Sequence, residues 1–382
     1  MFIATAGSSF SMTSEPLISQ TINARLPGVR GDFHSSDLEA RLIDPLCDSD
    51  WDRLVLSHSG STFFHSAAWA EVLVKTYGHK PFYFHFVRRG QTVALMPFME
   101  VRSSLTGRRG VCLPFSDFCD PLTFDEYETG IGIEKLIELA RERNWKYFEV
   151  RGGEFFQVGA QPVTTFYGHK IDLRSGLGGL AARFESSVRR AIRKGEKSAV
   201  VTQLDCSRAA ILAFYKLHVQ TRRRHGIPPQ PVSFFLNIHE SIIKPGLGFV
   251  VLARSQSKPV AGAVFFQLGK KALYKFAASD ETLQELRGNN LVIWEGIKFL
   301  VQEGFETLHF GRTALDNDGL RQFKLAWGTE EEIINYFRFE TAAGTWVSAR
   351  NGGGPGFHKR IFSRLPLALN RLAGAMIYPH LD

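Results

Sequence analysis

The residues of this chain best suited to chemistry are cations set at the ends of predicted helices. Ser207–His218 reads as a helix running into Thr221-Arg222-Arg223-Arg224-His225-Gly226. One arginine at a helix C-terminus complements the dipole, whereas three and a histidine exceed what capping needs. A guanidinium meets phosphate or carboxylate through paired hydrogen bonds, so Arg224 is a candidate contact to an anionic substrate. A second cationic stretch, RFESSVRRAIRKGEK at 183–197, carries Arg183, Arg189, Arg190, Arg193, Lys194 and Lys197 against Glu185 and Glu196. Phe184, Val188, Ala191 and Ile192 give it an apolar stripe at helical spacing. It is either the solvated face of a packed helix or a docking site for the phosphates of a carrier or an RNA, with Arg189 among the candidate contacts. Further on, Glu285-Leu286-Arg287-Gly288-Asn289-Asn290 opens a helix predicted over Leu291–Glu303. Such a turn leaves backbone N–H groups that bind an anion, or serves simply as an asparagine cap.

The acidic candidates lie in Phe115-Ser116-Asp117-Phe118-Cys119-Asp120-Pro121, where two carboxylates beside aromatics could hold a substrate amine or hydroxyl. Asp120-Pro121 is equally a plain turn initiator. Near the C-terminal end, a strand at Thr307–Phe310, then Gly311-Arg312-Thr313, a charged loop GLRQFKLAWG (319–328) and a strand at Glu332–Glu340 form an arrangement that can hold a ligand. Gly-x-Ser-x-Gly, His-Glu-x-x-His, clustered Cys/His spacing and a nucleotide P-loop are all missing from the sequence, which disfavours serine-hydrolase and metal-dependent chemistry.

Two echoes organise the elements that must position these residues. Lys135–Arg151 matches the segment from Gly296 onward at a constant offset of 160, pairing Ile137 with Ile297, Leu139 with Phe299 and Val150 with Phe310. Upstream, the hairpin Phe82–Arg88/Val93–Phe98 matches Phe249–Arg254/Val260–Phe265, and two echoes in the same order predict a duplicated unit. Around them, helices are predicted over Asp37–Leu56, Ala67–Tyr77, Ile131–Arg143 and Ser233–Ile243, and strands over Gly110–Pro114 and Ala272–Ala278. His65 reads as a core or capping histidine. The domains expected are a flexible leader at 1–34, units at 35–180 and 181–345, and a Gly-rich linker with a basic amphipathic tail at 346–382. That tail could lie in a membrane interface through 359–378, fold back on the domains, or pair with another subunit.

With 382 residues and ordinary hydrophobic content, two globular cores are expected. The net charge of +8 favours an anionic partner. Cys47, Cys112, Cys119 and Cys206 lie far apart in sequence and imply free thiols in a reducing compartment. Without a secretory signal or an apolar run of roughly 18 residues, the expected location is cytoplasmic, with peripheral contact at the inner membrane if the tail docks there.

The strands of 248–310 with the Arg287–Asn290 loop and following helix resemble the central part of a GNAT acyltransferase domain. The doubled unit, RRAIRKGEK, the Thr-x-x-Arg-His-Gly segment at 221–226 and Gly311-Arg312-Thr313 with GLRQFKLAWG resemble the FemAB-like family over about 45–340. The resemblance implies a mixed α/β fold of two tandem GNAT-like domains. It implies transfer of an acyl or aminoacyl group from acyl-CoA or aminoacyl-tRNA to an amine of an anionic cell-envelope or exopolysaccharide precursor, with no metal. It also implies Lys324 as an electrostatic stabiliser, Arg224 and Arg312 on the substrate, Arg287, Asn289 and Asn290 on the donor, and Asp117 or Asp120 orienting or deprotonating the amine. Asn290 and Val292 stand where the GNAT donor loop has small residues, which is a departure from that pattern. The alternative is a catalytically inactive scaffold of a polysaccharide-export system.

Overall fold

Alternating apolar residues make the hairpins that the sequence predicts, and their arrangement opens the cleft described below. The computed structural model describes residues 38–124, 129–152, 160–347 and 362–382. The first half runs β1 (Leu38–Ile43), α1 (Trp51–Leu56), α2 (Ala67–Tyr77), β2 (Lys80–Pro81), β3 (Tyr83–Arg88), β4 (Gln91–Met96), β5 (Met99–Ser103), β6 (Gly107–Val111), β7 (Leu122–Thr123), α3 (Thr129–Glu142) and β8 (Tyr147–Arg151). The second begins β9 (Thr164–Asp172), α4 (Gly176–Arg183), α5 (Ser186–Lys197), β10 (Val200–Asp205), α6 (Arg208–Arg224) and α7 (Val232–Ile238). It continues β11 (Gly248–Ser255), β12 (Lys258–Leu268), β13 (Lys271–Ser279), α8 (Gly288–Gln302), β14 (Thr307–Ala314), α9 (Asp318–Leu325), β15 (Glu330–Glu340), β16 (Thr345–Val347) and α10 (Leu367–Ile377).

A small antiparallel sheet has the order β1-β3-β4-β7, and a large mixed one runs β10-β11-β12-β13-β14-β9-β15-β8-β6-β5-β2 with β16 on β15. Strand β9 lies between β14 and β15, and β15 continues onto β8 through Tyr336–Glu340, so one sheet carries both halves. One core covers the sheet face beneath α4, α5 and α8, with Phe184, Val188, Ile293, Ile297 and Trp327 at its centre. The other joins the first half to α6 and α7, where Phe63 and Trp69 meet Phe266 at ring-centroid distances of 4.6 and 5.9 Å.

Three local expectations change. Asp37–Leu56 is a strand and a short helix, because Leu38–Ile43 pairs with β3 and Asp44-Pro45 then breaks the run. The charged loop at 319–325 is helix α9, its start capped by the Asn317 side chain accepting from Leu320 N at 3.2 Å. Helix α6 extends past His218 to Arg224. The predicted leader and the Gly352–Gly356 linker lie outside the described residues. Among the described residues no helix is long and apolar enough to cross a membrane, and no His/Cys/Asp/Glu group could hold a metal ion.

A buried acid anchors the first half. The Glu100 carboxylate is inaccessible to solvent and accepts from Trp145 Nε1 at 2.8 Å and Arg143 Nε at 3.1 Å, with Arg102 on its other oxygen. Burial works to raise its pKa, but these donors outweigh it and hold the group below the usual carboxylate range. Glu100→Ala should cost about 3 kcal/mol in a urea titration, the low end for a broken buried pair, because Arg102 and Arg143 keep access to water.

Candidate active site

Strands β13 and β14 pair in parallel only at Lys271–Leu273 against Thr307–His309, and beyond that they part. Helix α8 starts at this opening. Arg287 precedes it in the left-handed region at φ 57°, and Asn290 N and Leu291 N turn back to its carbonyl at 3.0 and 3.2 Å. At Gly288 a Cβ would sit 3.0 Å from Ala261 Cβ, so glycine lets the turn seat against β12. The Asn289 amide donates to Ser279 Oγ at 3.1 Å and ties the first turn of α8 to the end of β13. These residues, with Ser187, Val188 and Ala191 of α5 and Gln322 and Phe323 of α9, enclose a cavity of about 510 Å³.

A second cavity of about 410 Å³ adjoins it, and Ser279, Asn289 and Phe323 line both. From the first half, Asp117 reaches it. The loop after β6 carries Leu113 and Phe115 at φ 54° and 59°, a backbone conformation that costs roughly 1–2 kcal/mol for each bulky side chain. Ser116 Oγ donates to Leu113 O at 2.7 Å, Arg151 donates to the same carbonyl at 3.3 Å, and Cys112 Sγ donates to Cys119 O at 2.8 Å. The loop so held delivers Asp117 to the cavity.

Four cations line this chamber opposite Asp117. The β12–β13 register shifts between Val264 and Phe265, which pair with Phe276 and Tyr274, so the intervening Lys275 has no partner across the ladder. Its Nζ donates to Phe115 O at 2.8 Å and to Asp117 Oδ2 at 3.2 Å, 4.8 Å from the centre of the Phe64 ring. Lys324, only 4% exposed, donates to Gly311 O at 2.9 Å and Arg312 O at 3.0 Å. Arg312 lies over the Phe166 ring at 4.4 Å and donates to Tyr336 Oη, which in turn donates to Asp117 O at 2.7 Å. Arg224, at the last turn of α6, lines the cavity half-buried and has no protein partner among the described residues.

Burial sets the electrostatics. It lowers Lys324 to about 8, with the Asp117 charge opposing that shift and Lys275 adding to it. Lys275 is also lowered by burial, against the pull of Asp117. For Asp117 burial works upward, but Lys275 and Arg312 outweigh it and hold the carboxyl below its ordinary value.

The structure therefore gathers Asp117, Arg224, Arg312 and Lys324 around one cavity, and Arg287, Asn289 and Asn290 around its neighbour. Asp120 is not among the residues lining either; its carbonyl accepts from His65 Nε2 at 2.7 Å, which makes His65 a buried capping histidine with its pKa lowered to about 4 by burial. Arg189 turns back to the carbonyls of Ala181, Ala182 and Phe184, closing the end of α4. On the outer face of α5, Arg190, Arg193, Lys194 and Lys197 line an open hollow instead. Sequence reasoning missed Lys275, Ser279 and Tyr336. The available signal was a lysine interrupting the apolar run ALYKFAA.

Residues 182–325 match the Acetyltransferase (GNAT) domain family. No curated protein matches the chain in sequence. Among solved structures, the crystal structure of FemX overlays with a TM-score of 0.62 at 16% identity, covering 78% of this chain and 96% of that one. A tandem GNAT protein from the clavulanic acid biosynthesis pathway overlays with a TM-score of 0.52 at 11% identity over 80% and 99% of the two chains. A conserved protein of unknown function from Bacteroides thetaiotaomicron VPI-5482 gives 0.50 at 11% identity over 77% and 98%. At these identities the shared property is the fold, mixed α/β with tandem GNAT units.

Proposed function

Residues 182–325 match a GNAT acetyltransferase domain and the chain shares its fold with FemX and a tandem GNAT protein, and from this we propose that it is a FemAB-like enzyme that transfers an acyl or aminoacyl group from an activated donor to the amine of an anionic acceptor. The observation that carries this reading is the pair of adjoining cavities, one at the start of α8 and one rich in cations, which meet at Ser279, Asn289 and Phe323. In this reading the donor enters the first, its phosphates near Arg287 and the start of α8, and its carbonyl reaches the shared wall. The acceptor fills the second. The amine nitrogen attacks the carbonyl carbon, a C–N bond forms, and the C–S or C–O bond to the carrier breaks. The amine's proton leaves to solvent, and the carrier's sulfur or oxygen regains one.

Catalysis of this kind consists mainly of holding nucleophile and carbonyl together and of supplying charge where the oxyanion develops. Lys324 is assigned the oxyanion, Arg224 and Arg312 the acceptor's anionic part, and Asp117 the orientation of the amine, since a carboxylate held below its normal pKa is a weak base. The donor is acyl-CoA or aminoacyl-tRNA and the acceptor a cell-envelope or exopolysaccharide precursor, with the chain working in the cytoplasm where such donors are made.

Thermal unfolding with coenzyme A, acetyl-CoA, a long-chain acyl-CoA and a charged tRNA tests the reading, because a ligand of the folded state raises Tm. A shift with one donor names it. Arg287→Gly relaxes a left-handed position while removing the guanidinium, so it should leave the unliganded Tm unchanged or slightly higher and weaken that donor about tenfold. If no donor shifts Tm, the inactive scaffold becomes the better description.

A further inference from the structure

One face of α10 is locked to the body. Asn370 and Gly374 are buried, and a Cβ at Gly374 would come within 1.9 Å of Pro229 O. Just beyond the helix, Tyr378 donates to Pro228 O at 3.2 Å, accepts from Arg222 at 2.6 Å and packs against Phe115 at 5.7 Å between ring centroids. Asp382 then takes Arg109 Nε at 2.6 Å. The tail thus folds back on the domains through these contacts.

Among the described residues nothing covers the opposite face. Leu369, Leu372 and Met376 are 52%, 57% and 65% exposed, and their three- and four-residue spacing puts them on one stripe. A stripe of large apolar side chains held outward by an anchored helix marks an interaction surface rather than scattered surface hydrophobics. Its charge setting is one-sided. From Thr341 through Leu381 the chain carries Arg350, Lys359, Arg360, Arg364 and Arg371 and not one Asp or Glu. Arg364 and Arg371 are exposed, and the Arg371 guanidinium also lies over the Tyr215 ring of α6 at 5.7 Å.

We propose that this face of α10 docks on an anionic lipid surface, with Leu369, Leu372 and Met376 in the boundary between headgroups and acyl chains and Arg364 and Arg371 on headgroup phosphates. The helix has 11 residues, so it is too short to span and lies along the interface. Pairing with a second copy is disfavoured by the charge pattern, because each tail would present cations with no acidic residue between Thr341 and Leu381 to meet them. The inference stands apart from the transfer chemistry. It has one geometric link to it: Tyr378 holds Arg222 of α6, two residues before Arg224, so a docked tail would keep that end of α6 near the lipid.

Co-sedimentation of the full chain with vesicles tests this, using phosphatidylcholine alone and phosphatidylcholine mixed with phosphatidylglycerol. Binding to the mixed vesicles should exceed binding to the neutral ones about tenfold or more at low ionic strength and decline with salt. The variant L369Q/L372Q/M376Q, altered only at exposed side chains, should keep its Tm and lose about tenfold or more of that binding. R364Q/R371Q should lose the preference for anionic lipid. Failure to bind either vesicle, or undiminished binding by the triple variant, overturns the proposal. So does a concentration-dependent dimer abolished by the triple variant, which would assign the face to a second copy.

Discussion

Lys324→Ala is expected to lower kcat about 10²- to 10³-fold, the usual effect of removing one donor from a developing oxyanion, while leaving the donor-induced Tm shift in place. The size of the effect follows from the site. A buried cation acts through a low local dielectric, and Lys324, almost inaccessible to solvent, is held by the Gly311 and Arg312 carbonyls rather than by an acid that would neutralise it. Burial brings its pKa down to about 8, so its charge is marginal rather than permanent. The sign of the pH dependence is therefore fixed: the lysine is charged below that value and neutral above it. Transfer should fall as pH rises through about 8, and the alkaline limb should be missing from Lys324→Ala. A limb that instead climbs through the same value in the wild type and vanishes in Lys324→Ala would make the neutral lysine a base and remove the oxyanion role, whereas a climb common to both proteins belongs to the acceptor amine. Alanine also leaves two carbonyls without their donor, so Lys324→Met, which keeps most of the stem, separates lost folding from lost charge.

Much of this arrangement was legible before the structure, and the reasons differ by element. The β3–β4 and β11–β12 hairpins are plain because period-two apolar runs are broken by short turns. Strand β9 is not, since Gly168, His169 and Lys170 interrupt its alternation, and only the neighbouring β15 places Glu331 3.3 Å from His169 and Glu332 on Lys170. Helix α9 hides because eight residues rich in charge carry too short an apolar period, and its start depends on an asparagine cap. Residue type pointed to Arg224 and the family resemblance to Lys324, but neither gives direction. Arg189 carries the same charge as its neighbours yet is drawn to the carbonyls left at the α4–α5 break. Asp117 and Asp120 were indistinguishable in sequence. They are separated by a loop whose left-handed Leu113 and Phe115 no local rule anticipates, and Asp117 alone of the two lines the cavity. Lys275 enters the site through a register shift between two strands, which neither strand encodes by itself.

Arg224→Ala is expected to raise the acceptor KM about tenfold to 10²-fold, the range for losing a charged hydrogen bond, with kcat and donor binding little changed. The argument rests on what the other cations already do. Lys275 is taken by Asp117 and the Phe115 carbonyl, Lys324 by two carbonyls, and Arg312 by Tyr336 and the Phe166 ring. Arg222, on the same turn as Arg224, is spent on Pro228 and Tyr378. Arg224 reaches the same chamber without a partner among the described residues, so its guanidinium is available to an incoming anion. A residue in that position contributes the same energy to bound acceptor and transition state, which is why the loss belongs in KM. Arg224→Lys keeps the charge without the two-pronged geometry and should recover only part of it. Steady-state kinetics with the acceptor varied at saturating donor would separate the two parameters. A fall in kcat at unchanged KM would move Arg224 from the acceptor's anionic end to the reacting carbonyl, and the division of labour between it and Lys324 would have to be redrawn.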